Sequence, residues 1–165
     1  MFTKHILEVS TSDVKAARKN AILHSNGIGS CVAIAAYDSD NKIGGLAHVM
    51  LPGVAPIETI GKKTKYAKNA IDELFTRMIA LGGKREKITT SLVGGGNVLK
   101  REGDNTGNNN VSYIIDILRE KDIVIVAKAV GGFERRTITF DVGEGEVNFT
   151  EGNSKEQLLW KYNQK

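Results

Sequence analysis

Residues 29–52 read GSCVAIAAYDSDNKIGGLAHVMLP, and this stretch decides the fold. Cys31–Tyr37 is a short apolar run bounded by turn residues, the pattern of a buried strand. Asp38-Ser39-Asp40-Asn41-Lys42 is a polar turn, Gly44–Leu51 is a returning strand, and Pro52-Gly53 ends it. If the chain folds back at this turn, residues whose numbers sum to about 79 face each other, and Cys31 and His48 satisfy that sum.

Outward from this hairpin, His5–Val9 and Ala21–His24 read as strands, the second ahead of the turn Asn26-Gly27-Ile28-Gly29. From Lys65 the apolar period becomes helical: Tyr66, Ala67, Ala70, Ile71, Leu74, Phe75, Met78 and Ile79 form one stripe, stopped by Gly82-Gly83. Lys87–Val93 is a strand cut by Gly94-Gly95-Gly96, and residues 110–121 form a second helix with Val111, Ile114, Ile115 and Leu118 inward. Asp122–Val130 is a buried strand broken by Gly131-Gly132. Arg136–Val142 and Glu146–Thr150 alternate apolar and polar residues around Gly143-Glu144-Gly145, which predicts a hairpin. Residues 154–162 suit a short amphipathic helix or a frayed tail. The fold class is α+β, a layered sandwich of mixed and antiparallel sheets with two main helices. One domain is expected over residues 1–150, with residues 151–165 as a C-terminal tail.

Composition narrows the function classes. With 165 residues, 41% hydrophobic and 25% charged, the chain is long enough to bury a core without disulfides, and its single cysteine can form none internally. There is no signal-length apolar stretch at the start and no run long enough to span a membrane, so a reducing, cytoplasmic setting is expected. The net charge of +4 is spread along the chain. The densest knot, Lys62-Lys63-Thr64-Lys65, falls in a loop, so nucleic acid is not the expected partner.

Cys31 and His48 are the candidate chemistry. A cysteine after Asn26-Gly27-Ile28-Gly29-Ser30 leaves room for a substrate, and the glycines allow backbone N–H groups to face a developing oxyanion. Packing is the ordinary fate of a lone cysteine; a histidine opposite it changes the reading, because imidazole can move the thiol proton near neutral pH. A third group commonly orients the imidazole. Ser25 and Ser30 are the nearby hydroxyls, and on spacing alone each reads first as a turn-stabilising group. His5 and His24 have no metal-ligand spacing, and neither Gly27-Ile28-Gly29 nor Gly94-Gly95-Gly96 continues as a nucleotide-binding motif. No metal or organic cofactor is expected. Arg135-Arg136 reads either as an anion clamp or as a solvated pair.

Gly29-Ser30-Cys31-Val32-Ala33, Asp38, Gly44-Gly45 and Ala47-His48-Val49-Met50-Leu51-Pro52 together resemble the CheD family of chemoreceptor glutamine deamidases. Weaker similarities follow at Lys65-Tyr66-Ala67, Gly94-Gly95, Gly107 with Asn110-Val111, and Gly131-Gly132 with Arg136, so that the likeness spans about Ile6 to Thr150. The resemblance implies a layered fold shared with bacterial cysteine deamidase toxins, Cys31 as nucleophile, His48 as base and Ser25 at the third catalytic position, where the family carries threonine. It also implies chemoreceptor cytoplasmic helices as substrate and CheC-type phosphatases as partners. The alternative is an adaptor that binds those partners with little catalysis. Ala129, Ser91 and Lys68 depart from the family's usual aspartate, lysine and acidic residue.

Overall fold

The computed structural model describes residues 3–163. In chain order it runs β1 (His5–Glu8), β2 (Val14–Ala17), β3 (Ala21–Ile28), β4 (Val32–Asp38), β5 (Ile43–Val49), α1 (Ala67–Ala80), β6 (Ile88–Gly94), α2 (Thr106–Glu120), β7 (Val124–Val130), β8 (Arg136–Asp141), β9 (Glu146–Glu151) and β10 (Gln157–Lys161). The strands form two five-stranded mixed sheets, β1-β3-β8-β9-β10 and β2-β5-β4-β6-β7. Among the described strands β1/β3 and β6/β7 pair in parallel and the rest antiparallel, and α2 supplies the crossover that the β6/β7 pairing requires.

The layers are sheet, sheet, helices. Leu23, Ile138 and Phe140 of the first sheet meet Ala33, Ala35, Tyr37 and Leu46 of the second in one core cluster. Val32, Ile34, Ala36, Ala47 and Val49 point the other way, into a second cluster with Ala70, Ile71 and Leu74 of α1 and Ile114 and Leu118 of α2. β4 and β5 are therefore buried on both faces. This is why they read as unbroken apolar runs, while β8 and β9, covered on one face, alternate.

Four expectations need correction. The strand expected to be buried over Asp122–Val130 is β7, a partly exposed edge strand. The hairpin register is Val32↔Val49 through Asp38↔Ile43, so paired numbers sum to 81 rather than 79, and His48 faces Ala33. Asp38 stays in the strand because its carboxylate organises the turn beyond: it accepts hydrogen bonds from the Asn41 amide (3.1 Å), Asn41 Nδ2 (2.8 Å) and the Lys84 amide (2.8 Å). The short helix expected within 154–162 is instead strand β10, antiparallel to β9. Trp160 and Tyr162 pack edge-on or tilted around Tyr37, with Tyr37–Trp160 ring centres 6.3 Å apart. Open β9 backbone and an aromatic anchor outweigh a weak helical pattern. β2 was not expected; four residues that include Lys15 are too few to show a period, and pairing with β5 forms the strand.

Candidate active site

Cys31 stands just before β4. Its carbonyl accepts from the Gly95 amide (2.7 Å) and the Gly29 carbonyl from the Gly96 amide (2.9 Å), so the loop after β6 is stitched to the cysteine loop. Gly94 makes this possible. Its φ of 126° lies in the left-handed region, and a side chain there would collide with the Cys31 carbonyl and Ile28. Cys31 is half-buried and opens onto a cleft of about 250 Å³ with Gly29, Gly96, Val98, Leu99 and Arg135 on its walls. Burial pushes the thiol pKa up, and the residue's own backbone N–H pulls it down less strongly.

His48 is 1% exposed, in β5. Its backbone is held at both groups: the amide donates to the Asp13 carbonyl (3.1 Å) and the carbonyl accepts from the Ser12 amide (2.9 Å). Its ring crosses to the other sheet. Nδ1 lies 2.8 Å from Ser25 Oγ, and that hydroxyl lies 2.5 Å from the Val9 carbonyl. The protons can now be assigned. A carbonyl only accepts, so the single hydroxyl proton of Ser25 goes to Val9 and Oγ must accept from His48 Nδ1–H. Neutral His48 then carries its proton on Nδ1 and a lone pair on Nε2. Nε2 is buried with no partner among the described residues. Burial lowers the imidazole pKa, partly offset by the Val9 carbonyl, which raises it.

Ser25 and His48 are thus in direct contact. Cys31 extends β4 by one residue on the face that carries Ala33 and Ala35, toward the inter-sheet core. With Ala33 opposite His48, Cys31 is its diagonal neighbour. Because the register correction is two residues, the shared face survives it. Such diagonal positions are roughly 7–8 Å apart, and the Cys31 sulfur and His48 Nε2 have no hydrogen bond between them. The pKa directions run against a resting thiolate–imidazolium pair, since burial favours the neutral form of both groups.

The structure separates the two neighbouring arginines. Arg136 is buried; Nη1 donates to the Gly131 (2.7 Å) and Gly94 (3.2 Å) carbonyls and its guanidinium pairs with Glu151. It is an internal brace for the glycine turns rather than an anion clamp. Arg135 is exposed beside the cleft. Sequence reasoning missed the Val9 carbonyl, which has no side-chain signal, and the role of Asn110, whose Nδ2 donates to the Ser30 (2.9 Å) and Met50 (3.0 Å) carbonyls. His24 pairs with Glu8 (2.8 Å) away from the cleft. Among the described residues no cluster of three or more His, Cys, Asp or Glu side chains could hold a metal.

A buried Ser–His pair on the same sheet face as a cleft cysteine gives comparison with known proteins a defined question. The family model described as CheD chemotactic sensory transduction matches residues 50–151, beginning two residues past His48. A probable chemoreceptor glutamine deamidase CheD of Chlorobium luteolum is 36% identical over 160 residues, which cover 97% of this chain and 79% of the relative. The chain belongs to the CheD family. A CheD protein of Desulfitobacterium hafniense, with the same descriptive name, is 33% identical over 94% of this chain and 99% of its own length. One from Methanosarcina barkeri is 34% identical over 79% of this chain and 87% of its own.

Proposed function

We propose that this CheD protein is an amidohydrolase that converts glutamine side chains of chemoreceptors to glutamate, with Cys31 as nucleophile, His48 as general base and acid, and Ser25 orienting the imidazole. The carrying observation is the proton assignment: Ser25 Oγ and the Val9 carbonyl hold His48 with Nδ1 protonated and Nε2 free to accept. The names of the relatives supply the substrate class.

Starting from neutral thiol and imidazole, His48 Nε2 takes the Cys31 proton as sulfur attacks the amide carbon. A C–S bond forms, the C=O π pair moves to oxygen, and the loop's backbone N–H groups face that charge. On collapse the C–N bond breaks, and nitrogen leaves as ammonia with the proton from His48. Water then gives a proton to Nε2 and attacks the thioester, and the sulfur leaves and regains that proton. The product is glutamate and free Cys31, with no step assigned to any other group. A methyl ester would follow the same path, with methanol leaving.

Leu99 (63% exposed) and Phe133 (57% exposed) flank the cleft, with Arg135 and Lys100 beside them. That mixture suits a helix with apolar and acidic side chains, the expected character of a receptor's cytoplasmic helices. No helix among the described residues is long and apolar enough to cross a membrane. The cytoplasm, where those helices lie, is the proposed location, and a CheC-type phosphatase is the proposed regulatory partner. Ammonia release from glutamine-bearing receptor fragments tests the reading. Wild-type protein is expected to release it and Cys31→Ala is not; equal release by both removes Cys31 from the chemistry.

A further inference from the structure

Asn110 is fully buried near the start of α2, yet both hydrogens of its amide leave the helix. They go to the carbonyls of Ser30, immediately before the nucleophile, and Met50, two residues after the base. Two acceptors can only be met by the NH₂ end, so the orientation of the amide is fixed. The oxygen is left buried without a partner, an unfavourable arrangement for an amide whose role is packing alone. α2 can approach this closely because Gly107 lies against Gly95, where a side chain would strike the Gly95 and Gly96 carbonyls.

The consequence lies in the next peptide. In a trans peptide the C=O and the following N–H point in opposite directions. Holding the Ser30 carbonyl toward Asn110 therefore turns the Cys31 N–H away from α2. Among the described residues no backbone carbonyl accepts from that N–H, so it is left free beside the sulfur. We infer that Asn110 is a positioning residue that locks the Ser30–Cys31 peptide so that the Cys31 N–H is an oxyanion donor, and that its second bond ties this peptide to the end of the base-bearing strand. The inference rests on Cys31 being the nucleophile. A donor beside the attacking sulfur bonds the oxygen more strongly as it gains charge, so its loss falls on kcat.

The test is steady-state ammonia release by Asn110→Leu, which keeps the bulk and removes both donors. The expected result is a fall in kcat of about 10²-fold with KM unchanged, and an upward shift of the pH profile of Cys31 alkylation. A folded Asn110→Leu protein with wild-type kcat, or one whose whole loss lies in KM, overturns the inference. A second measurement needs no variant. In ¹⁵N-labelled wild-type protein, a glutamine-like peptide aldehyde that adds to Cys31 is expected to move the Cys31 amide proton strongly downfield; an unmoved Cys31 amide in the formed adduct overturns the inference even if Asn110→Leu does not fold. Cys31→Ala separates the two levels. If it still releases ammonia, the nucleophile assignment fails; if it is inactive while folded Asn110→Leu keeps full kcat, only the role of Asn110 fails.

Discussion

The two halves of the site are built in opposite ways. Ser25 lies within β3, paired with Ile138 of β8, and His48 lies one residue from the end of β5, paired with Ala33 of β4; both are buried and belong to different sheets. Cys31 sits at a strand end, between glycine turns, facing a cleft. A base benefits from burial because its tautomer and direction must be fixed before the reaction, whereas a nucleophile must be reached by a large substrate. In the proposed reaction the cost falls on the thiol and imidazole together, since burial favours the neutral form of both and proton transfer then accompanies the attack.

Substitutions can break this division of labour, and the largest effect belongs to the exposed half. Cys31→Ala is expected to lower deamidation by about 10³-fold or more, to the uncatalysed background, with stability nearly unchanged; ammonia assays and urea melts check both. His48→Ala is expected to cost about 10²–10⁴-fold and to slow Cys31 alkylation at neutral pH. Alkylation that is indifferent to His48 would favour the adaptor reading, in which the protein binds receptors and a phosphatase without chemistry.

Ser25 sharpens the comparison because it is buried yet indirect. Ser25→Ala removes the hydroxyl that accepts from Nδ1–H and donates to the Val9 carbonyl, an expected stability loss of about 1–3 kcal/mol with a fall in kcat smaller than that of His48→Ala. Ser25→Thr keeps the hydroxyl and is expected to retain activity. A Ser25→Ala protein as active as wild type would leave the orientation of the imidazole to the backbone alone.

The smallest expected effect is on pH dependence. Burial lowers the His48 pKa in the folded protein below its unfolded value of 6.5. The unfolded chain therefore takes up the proton first as pH falls. The stability associated with neutral His48 is present above that unfolded value and is lost as pH falls through the folded one. Urea midpoints should be lower at about pH 5 than at about pH 7.5, with a weaker drop in His48→Ala.

The same contrast explains what could be read in the sequence. The β4–β5 hairpin, both helices and the β8–β9 hairpin were legible, because apolar period and turn residues are local signals; the Cys31–His48 pairing came as a proposal from the hairpin pattern, and Ser25 was singled out only through the family resemblance. The register was off by two because Asp38 looked like turn but acts as strand end and turn organiser at once, through a partner, Lys84, far along the chain. β10 and β2 depend on edges offered by β9 and β5, which no local pattern reveals. Arg136 looked like a surface cation because its partners are backbone carbonyls of the glycine turns. The Asn110 and Val9 contacts are hidden for the same reason: backbone acceptors leave no mark on composition.

Mass spectrometry of receptor cytoplasmic fragments incubated with wild-type protein and with Cys31→Ala tests the central claim most directly. Glutamine-to-glutamate conversion adds about one dalton per site. The expected result is a gain at discrete glutamines with wild type and none with Cys31→Ala; the same gains from both proteins, or none from either, would contradict it.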